Sequence, residues 1–130
     1  QTCALPISLL AMLDKEFPIQ HCAIIKMDAD RCYIWHEDLD RGVSINLVLK
    51  GREHSHCYFG RKVNESTDQY EIMECPYEPD SFYLFNTQTP HTVINNNEPR
   101  YLFTVQFFAQ KNQLSYNDLK SFCESKDLLL

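Results

Sequence analysis

Residues 82–108 read FYLFNTQTPHTVINNNEPRYLFTVQFF. From Tyr101 to Phe108 almost every residue is aromatic or β-branched, and Asn95, Asn96, Asn97, Glu98 and Pro99 ahead of them form a turn cluster. The pattern predicts two strands joined by a tight turn, with His91 on the first and Arg100 on the second. If Asn96 and Asn97 are the two loop residues, Val93 opposes Arg100 and His91 opposes Leu102, so His91 and Arg100 project to the same side. Arg100, Leu102, Thr104 and Gln106 then share a polar face, while Tyr101, Phe103, Val105 and Phe107 form an apolar one.

Outward from this stretch the same chemistry repeats. Strand-like runs are predicted at Cys22 to Met27, Arg31 to His36, Val43 to Leu49, His56 to Val63, Tyr70 to Cys75 and Ser81 to Phe85. With His91 to Asn95 and Tyr101 to Phe108 they make eight, separated by Asp, Asn, Gly and Pro clusters. Helical spacing of leucines predicts one short helix over Ser8 to Phe17, stopped by Pro18. A second helix, over Ser115 to Leu130, has Ser115 or Asn117 as its cap and Leu119, Phe122 and Cys123 facing the sheet. The expected fold class is mainly β, a sandwich or barrel with short N-terminal and C-terminal helices.

At 130 residues, the chain 1–130 reads as a single domain large enough to bury its own core. A net charge of −6 with no basic run argues against broad nucleic-acid or anionic-membrane binding. No apolar stretch approaches a membrane span, and the start lacks both a basic n-region and an initiator Met, so we expect a soluble, cytoplasmic protein, with trimming of its N-terminus open. Six cysteines sit singly, without a C-x-x-C pair, and read as buried thiols of a reducing compartment.

The chemistry concentrates in few residues. His36 and Asp38, two apart at the end of a strand, point the same way and can reach one ion, with His91 as a third ligand. Two imidazoles and one carboxylate on an octahedral ion leave three positions open, which suits non-haem Fe(II) working with O₂ and an oxo acid. Arg100 is placed to grip the carboxylate of such an acid. Asn46, on a face with Ser44 and Val48, is a second candidate for that ligand. Tyr33 and Trp35 fall opposite His36 and read as core, and Arg41, before a Gly, reads as a turn residue. No side chain is needed as a nucleophile.

The sequence His36-Glu37-Asp38, then RGVSINLVL, then YLFNTQTPHTVINNNEPRYLFTVQF, resembles the Fe(II)- and 2-oxoglutarate-dependent oxygenases over about Ala23 to Phe108. It is most similar to short hydroxylases of viruses and marine microbes related to the aspartyl/asparaginyl and prolyl hydroxylase groups. The resemblance implies a double-stranded β-helix, or jelly roll, of cupin-like form. It implies iron on His36, Asp38 and His91, with 2-oxoglutarate on Arg100 and O₂ as the other cosubstrate. With only a short N-terminal segment outside the barrel, we expect the substrate to be a small molecule or an exposed side chain. The chain departs from the pattern at Leu102, where many members carry Ser or Thr as a second carboxylate anchor, a role Thr104 could take. Two alternatives stand beside this reading. One is a cupin-like metal protein using His54, His56 and His91, suggested by His54-Ser55-His56 and by His91 followed at four residues by Asn95, though the cupin glycines are absent. The other is a non-catalytic jelly-roll binding module. The oligomeric state is open.

Overall fold

A computed structural model describes residues 7–129 of the chain. In order, helix α1 (Ile7–Glu16) is followed by strands β1 (Ile19–Met27), β2 (Arg31–His36) and β3 (Val43–Lys50). A 3₁₀ turn at Arg52–His54 leads into β4 (Ser55–Lys62), β5 (Tyr70–Glu74), β6 (Tyr83–Asn86), β7 (His91–Asn95), β8 (Arg100–Phe107) and α2 (Tyr116–Ser125). No described helix is long and apolar enough to cross a membrane.

The strands form two four-stranded sheets, in the orders β1-β8-β3-β6 and β2-β7-β4-β5. All pairings are antiparallel: β1 with β8, β2 with β7, β3 with β6 and β4 with β5. The chain is therefore one long hairpin with β4 and β5 at its tip, rolled up until β3 meets β8 and β4 meets β7. That is the jelly roll, as expected.

Alternation along β8 explains how the roll is filled. Val105 and Phe107 face outward and join Val43 and Ile45 of β3 beneath Leu13 of α1 and Leu119 and Cys123 of α2. Phe17 stands edge-on to both Phe107 and Phe122, tying the two helices to the sheet. Burying Leu13, Leu119 or Val105, each at most 1% exposed, contributes roughly 1.5–3 kcal/mol. A second cluster, with Met27, Val48, Cys57, Phe85 and Val93, fills the interior between the sheets. Helix α2 starts at a capping box. Ser115 Oγ accepts from the Asp118 amide at 3.2 Å, and the Asp118 carboxylate accepts from the Ser115 amide at 2.8 Å.

Five expectations are corrected. β7 and β8 do not pair with each other, because they lie in different sheets. The buried amide of Asn95 explains the corner: its Nδ2 donates to Asp28 O and Glu98 O, both at 2.8 Å, and Asn97 adopts φ 59°. The chain is thereby folded across the roll instead of back along itself. Tyr33 is not opposite His36, since a bulge between them returns both to the inner face. Trp35 is not core either: it lies on the outside over Gly60 and is 47% exposed. The thiols are mixed, with Cys57 and Cys123 buried but Cys22 and Cys32 exposed, while Cys3 lies outside the described residues. The second helix stops at Ser125, short of the expected Leu130, which is likewise outside them.

Candidate metal centre

His36, Asp38 and His91 each offer one ligand atom within 4.8 Å of the others. His91 begins β7 and is buried between the rings of Phe85 and Phe59, at centroid distances of 4.9 and 6.1 Å. Its Nδ1 lies 2.8 Å from Thr89 O, and the Nδ1 of His36 lies 2.7 Å from Ile34 O. Each carbonyl can only accept, so each Nδ1 carries the proton and each Nε2 presents a lone pair. Ligating histidines are held this way by an outer partner. The two Nε2 atoms stand 3.6 and 3.8 Å from Asp38 Oδ1. Burial lowers the His91 pKa below the usual value, against the bond to Thr89 and with help from His36, which favours the neutral ligating form.

Asp38 reaches this position by a route other than strand periodicity. β2 ends at His36, so Asp38 belongs to a loop. Its amide donates to Thr87 O at 2.9 Å, and Gln88 Nε2 donates to Asp38 O at 2.8 Å. The turn before β7 thus carries the loop to the two imidazoles. Donor types, free lone pairs and convergence all fit a small divalent cation with open positions.

The same cavity, of about 280 Å³, is lined by these three residues and by Arg100, Asn46, Thr104 and Tyr77. Arg100 is 4% exposed, with its guanidinium carbon 5.8 Å from the Tyr77 ring centroid. Among the described residues no carboxylate forms an ion pair with it. Gly51, at φ 92°, lets the chain pass so close that a Cβ there would lie 2.9 Å from Arg100 Cα.

Asn46 lines the same cavity, with its orientation fixed. Oδ1 accepts from Thr104 Oγ1 at 2.8 Å and Ser44 Oγ at 3.3 Å, leaving the amide hydrogens for the cavity. Thr104 therefore spends its proton on Asn46, and Leu102 is apolar wall. Tyr77 was missed in the sequence because CPYEPDSF reads as turn chemistry with no period to assign a face. Burial pushes the Cys57 thiol up to about 12, so it too is wall.

His54 and His56 are not brought to His91. His56 opposes Ile94 on the outer face and pairs with Glu74 at 2.6 Å, while His54 sits in the 3₁₀ turn against Gly51. Arg41 is more than a turn residue: its Nη2 lies 2.5 Å from Asp38 Oδ2, inside the cavity lining.

No protein-family model matches the chain, and no curated protein matches it. Among solved structures, DMSP lyase DddQ from Ruegeria pomeroyi DSS-3 aligns with a TM-score of 0.40 at 14% identity, over 65% of this chain and 36% of that one. A cupin-2 domain containing protein from Shewanella frigidimarina aligns at 0.37 and 14%, over 64% and 66%. Peruvianin-I, a cysteine peptidase from Thevetia peruviana latex, aligns at 0.44 and 9%, over 72% and 52%. This chain thus spans only 36% to 66% of their lengths. The lyase and the peptidase differ in activity, and at these scores the likeness adds nothing to what strand order establishes. The strand order and the His–Asp–His cluster together make this chain a cupin-like jelly roll with a candidate metal centre.

Proposed function

We propose that the chain is a mononuclear non-haem Fe(II) oxygenase, with His36, Asp38 and His91 as ligands and Arg100 as the anchor for 2-oxoglutarate. One observation carries the reading: a buried guanidinium with no anionic partner among the described residues opens into the same cavity as the ligand cluster. A cation whose only outlet to water is a half-apolar cavity favours an anionic ligand there, and a guanidinium fits a carboxylate with two parallel bonds.

Each residue then has a task. The carbonyls of Ile34 and Thr89 hold the imidazoles in the ligating tautomer. Arg100 fixes one end of the oxo acid, and the Asn46 amide, set by Ser44 and Thr104, offers a further donor along its length. Phe85, Val93 and Leu102 keep the walls dry, which strengthens these polar contacts. Bound ferrous iron supplies O₂ activation coupled to oxo-acid decarboxylation. Tyr33 and Ile25, both partly exposed, form an apolar lip where a small molecule or an exposed side chain would enter.

The test is an anaerobic titration of the Fe(II)-loaded protein with 2-oxoglutarate, following the visible charge-transfer band of chelation. The band is expected in the native protein, should be absent in Asp38→Ala, and should need far more oxo acid in Arg100→Ala. Iron binding without a band would leave a metal-binding jelly roll of another activity, and no iron binding would end the enzyme reading.

A further inference from the structure

The two oxygens of Asp38 face different neighbours. Oδ1 looks toward both imidazoles, while Oδ2 lies 2.5 Å from Arg41 Nη2. That approach is an ion pair without hydrogen-bond alignment, since Oδ2 has no hydrogen-bond partner among the described residues. Among the described residues, Arg41 is the one ion-pair partner of Oδ2, and it draws that oxygen away from the imidazoles.

Arg41 is itself held in place. Its carbonyl accepts from Thr87 Oγ1 at 2.5 Å and from Gln88 Nε2 at 2.7 Å, the same amide that bonds Asp38 O. On the far side Lys111 N donates to Asp40 O at 2.7 Å. Gly42 packs so closely that a Cβ would lie 2.2 Å from Leu114 O. The backbone of the loop is clamped from two sides, so the guanidinium has a fixed root from which to reach Oδ2.

We infer that Arg41 is a positioning residue that keeps Asp38 a one-oxygen ligand, an inference that rests on the metal reading above. Carboxylates bind cations through one oxygen or two. With two imidazoles, a one-oxygen Asp38 leaves three positions of an octahedral ion open, enough for a chelating oxo acid and O₂. A two-oxygen Asp38 leaves two, and the oxo acid alone would fill them. The ion pair thus decides whether the site can admit both cosubstrates.

The experiment replaces iron by Mn(II), which is stable in air, and reads the water-proton relaxation of the protein-bound ion, which scales with the number of coordinated waters. In Arg41→Met the relaxation is expected to fall by about a third, as three waters become two. Arg41→Lys, which keeps a cation on the same root, is expected to stay near the native value. The clamp acts through the Arg41 carbonyl, so both variants retain the loop. Native relaxation in Arg41→Met would overturn the role of Arg41 and leave the metal site standing. Failure of the native protein to bind Mn(II), or equal binding by Asp38→Ala, would overturn both.

Discussion

His36 and His91 oppose one another in the β2–β7 pair, with ring centroids 4.3 Å apart, because a bulge sets three residues of β2 against two of β7. Counted in regular register from Tyr33 opposite Val93, the residue facing His91 would be Trp35. The bulge exchanges an indole for an imidazole, in keeping with the use of bulges to re-aim side chains beside active sites.

Metal binding should appear as stability. At a Mn(II) concentration about 100 times its Kd, the native protein is expected to gain about 2.7 kcal/mol against urea unfolding. Asp38→Ala should gain none, and His56→Ala, on the outer face, should gain as much as native. Trp35 is the single tryptophan and neighbours His36, so its fluorescence follows both unfolding and metal titration.

Arg100→Met should separate stability from binding. Removing a buried cation that has no anionic partner among the described residues is expected to leave the ligand-free protein as stable as native or up to about 2 kcal/mol more stable. Its affinity for 2-oxoglutarate in the metal-loaded state should fall at least about tenfold, the value of a charge-assisted hydrogen bond. Urea unfolding and calorimetric titration check the two halves.

Gly42→Ala should damage both fold and site. The new methyl group would press on a backbone carbonyl, which cannot rotate away as a side chain could. Overpacking of this kind costs about 1–3 kcal/mol, and the loop carrying Asp38 must shift. A lower urea midpoint with weaker Mn(II) binding is the expected pair of results.

Ser115→Ala should cost about 1 kcal/mol through loss of the α2 cap. The hydrogen bonds from Ser115 lower the Asp118 pKa below its ordinary value of 3.8. This carboxylate therefore contributes in full above that value, and its contribution is lost as pH falls through the lowered folded value. The difference between native and Ser115→Ala should accordingly shrink in strong acid. Unfolding midpoints measured from neutral pH downward test this.

Most of the strand pattern was legible because alternation and turn residues are local. The eight strands and both helices follow from side chains that stand on one face or the other, and the polar and apolar faces of β8 were assigned correctly. The pairing of β7 with β8 was misread, since a two-residue hairpin and a jelly-roll corner begin with the same Asn-rich cluster. What separates them is the Asn95 amide reaching Asp28 O and Glu98 O, which no local rule encodes. His91 and Arg100 share a cavity all the same, because both lie on strand faces turned into the roll.

By itself the sequence determined the types of chemistry available: two imidazoles, a carboxylate, a guanidinium and an amide on periodic, half-apolar strands. Only the tertiary structure decided which of them meet. His56 was turned outward by its register with Ile94, Tyr33 inward by a bulge, and Asp38 was carried to the imidazoles by Thr87 and Gln88 from the opposite side of the chain. Periodicity fixes the direction of a side chain within one strand. Convergence of separate strands depends on register, bulges and loop hydrogen bonds, which form between residues far apart in sequence.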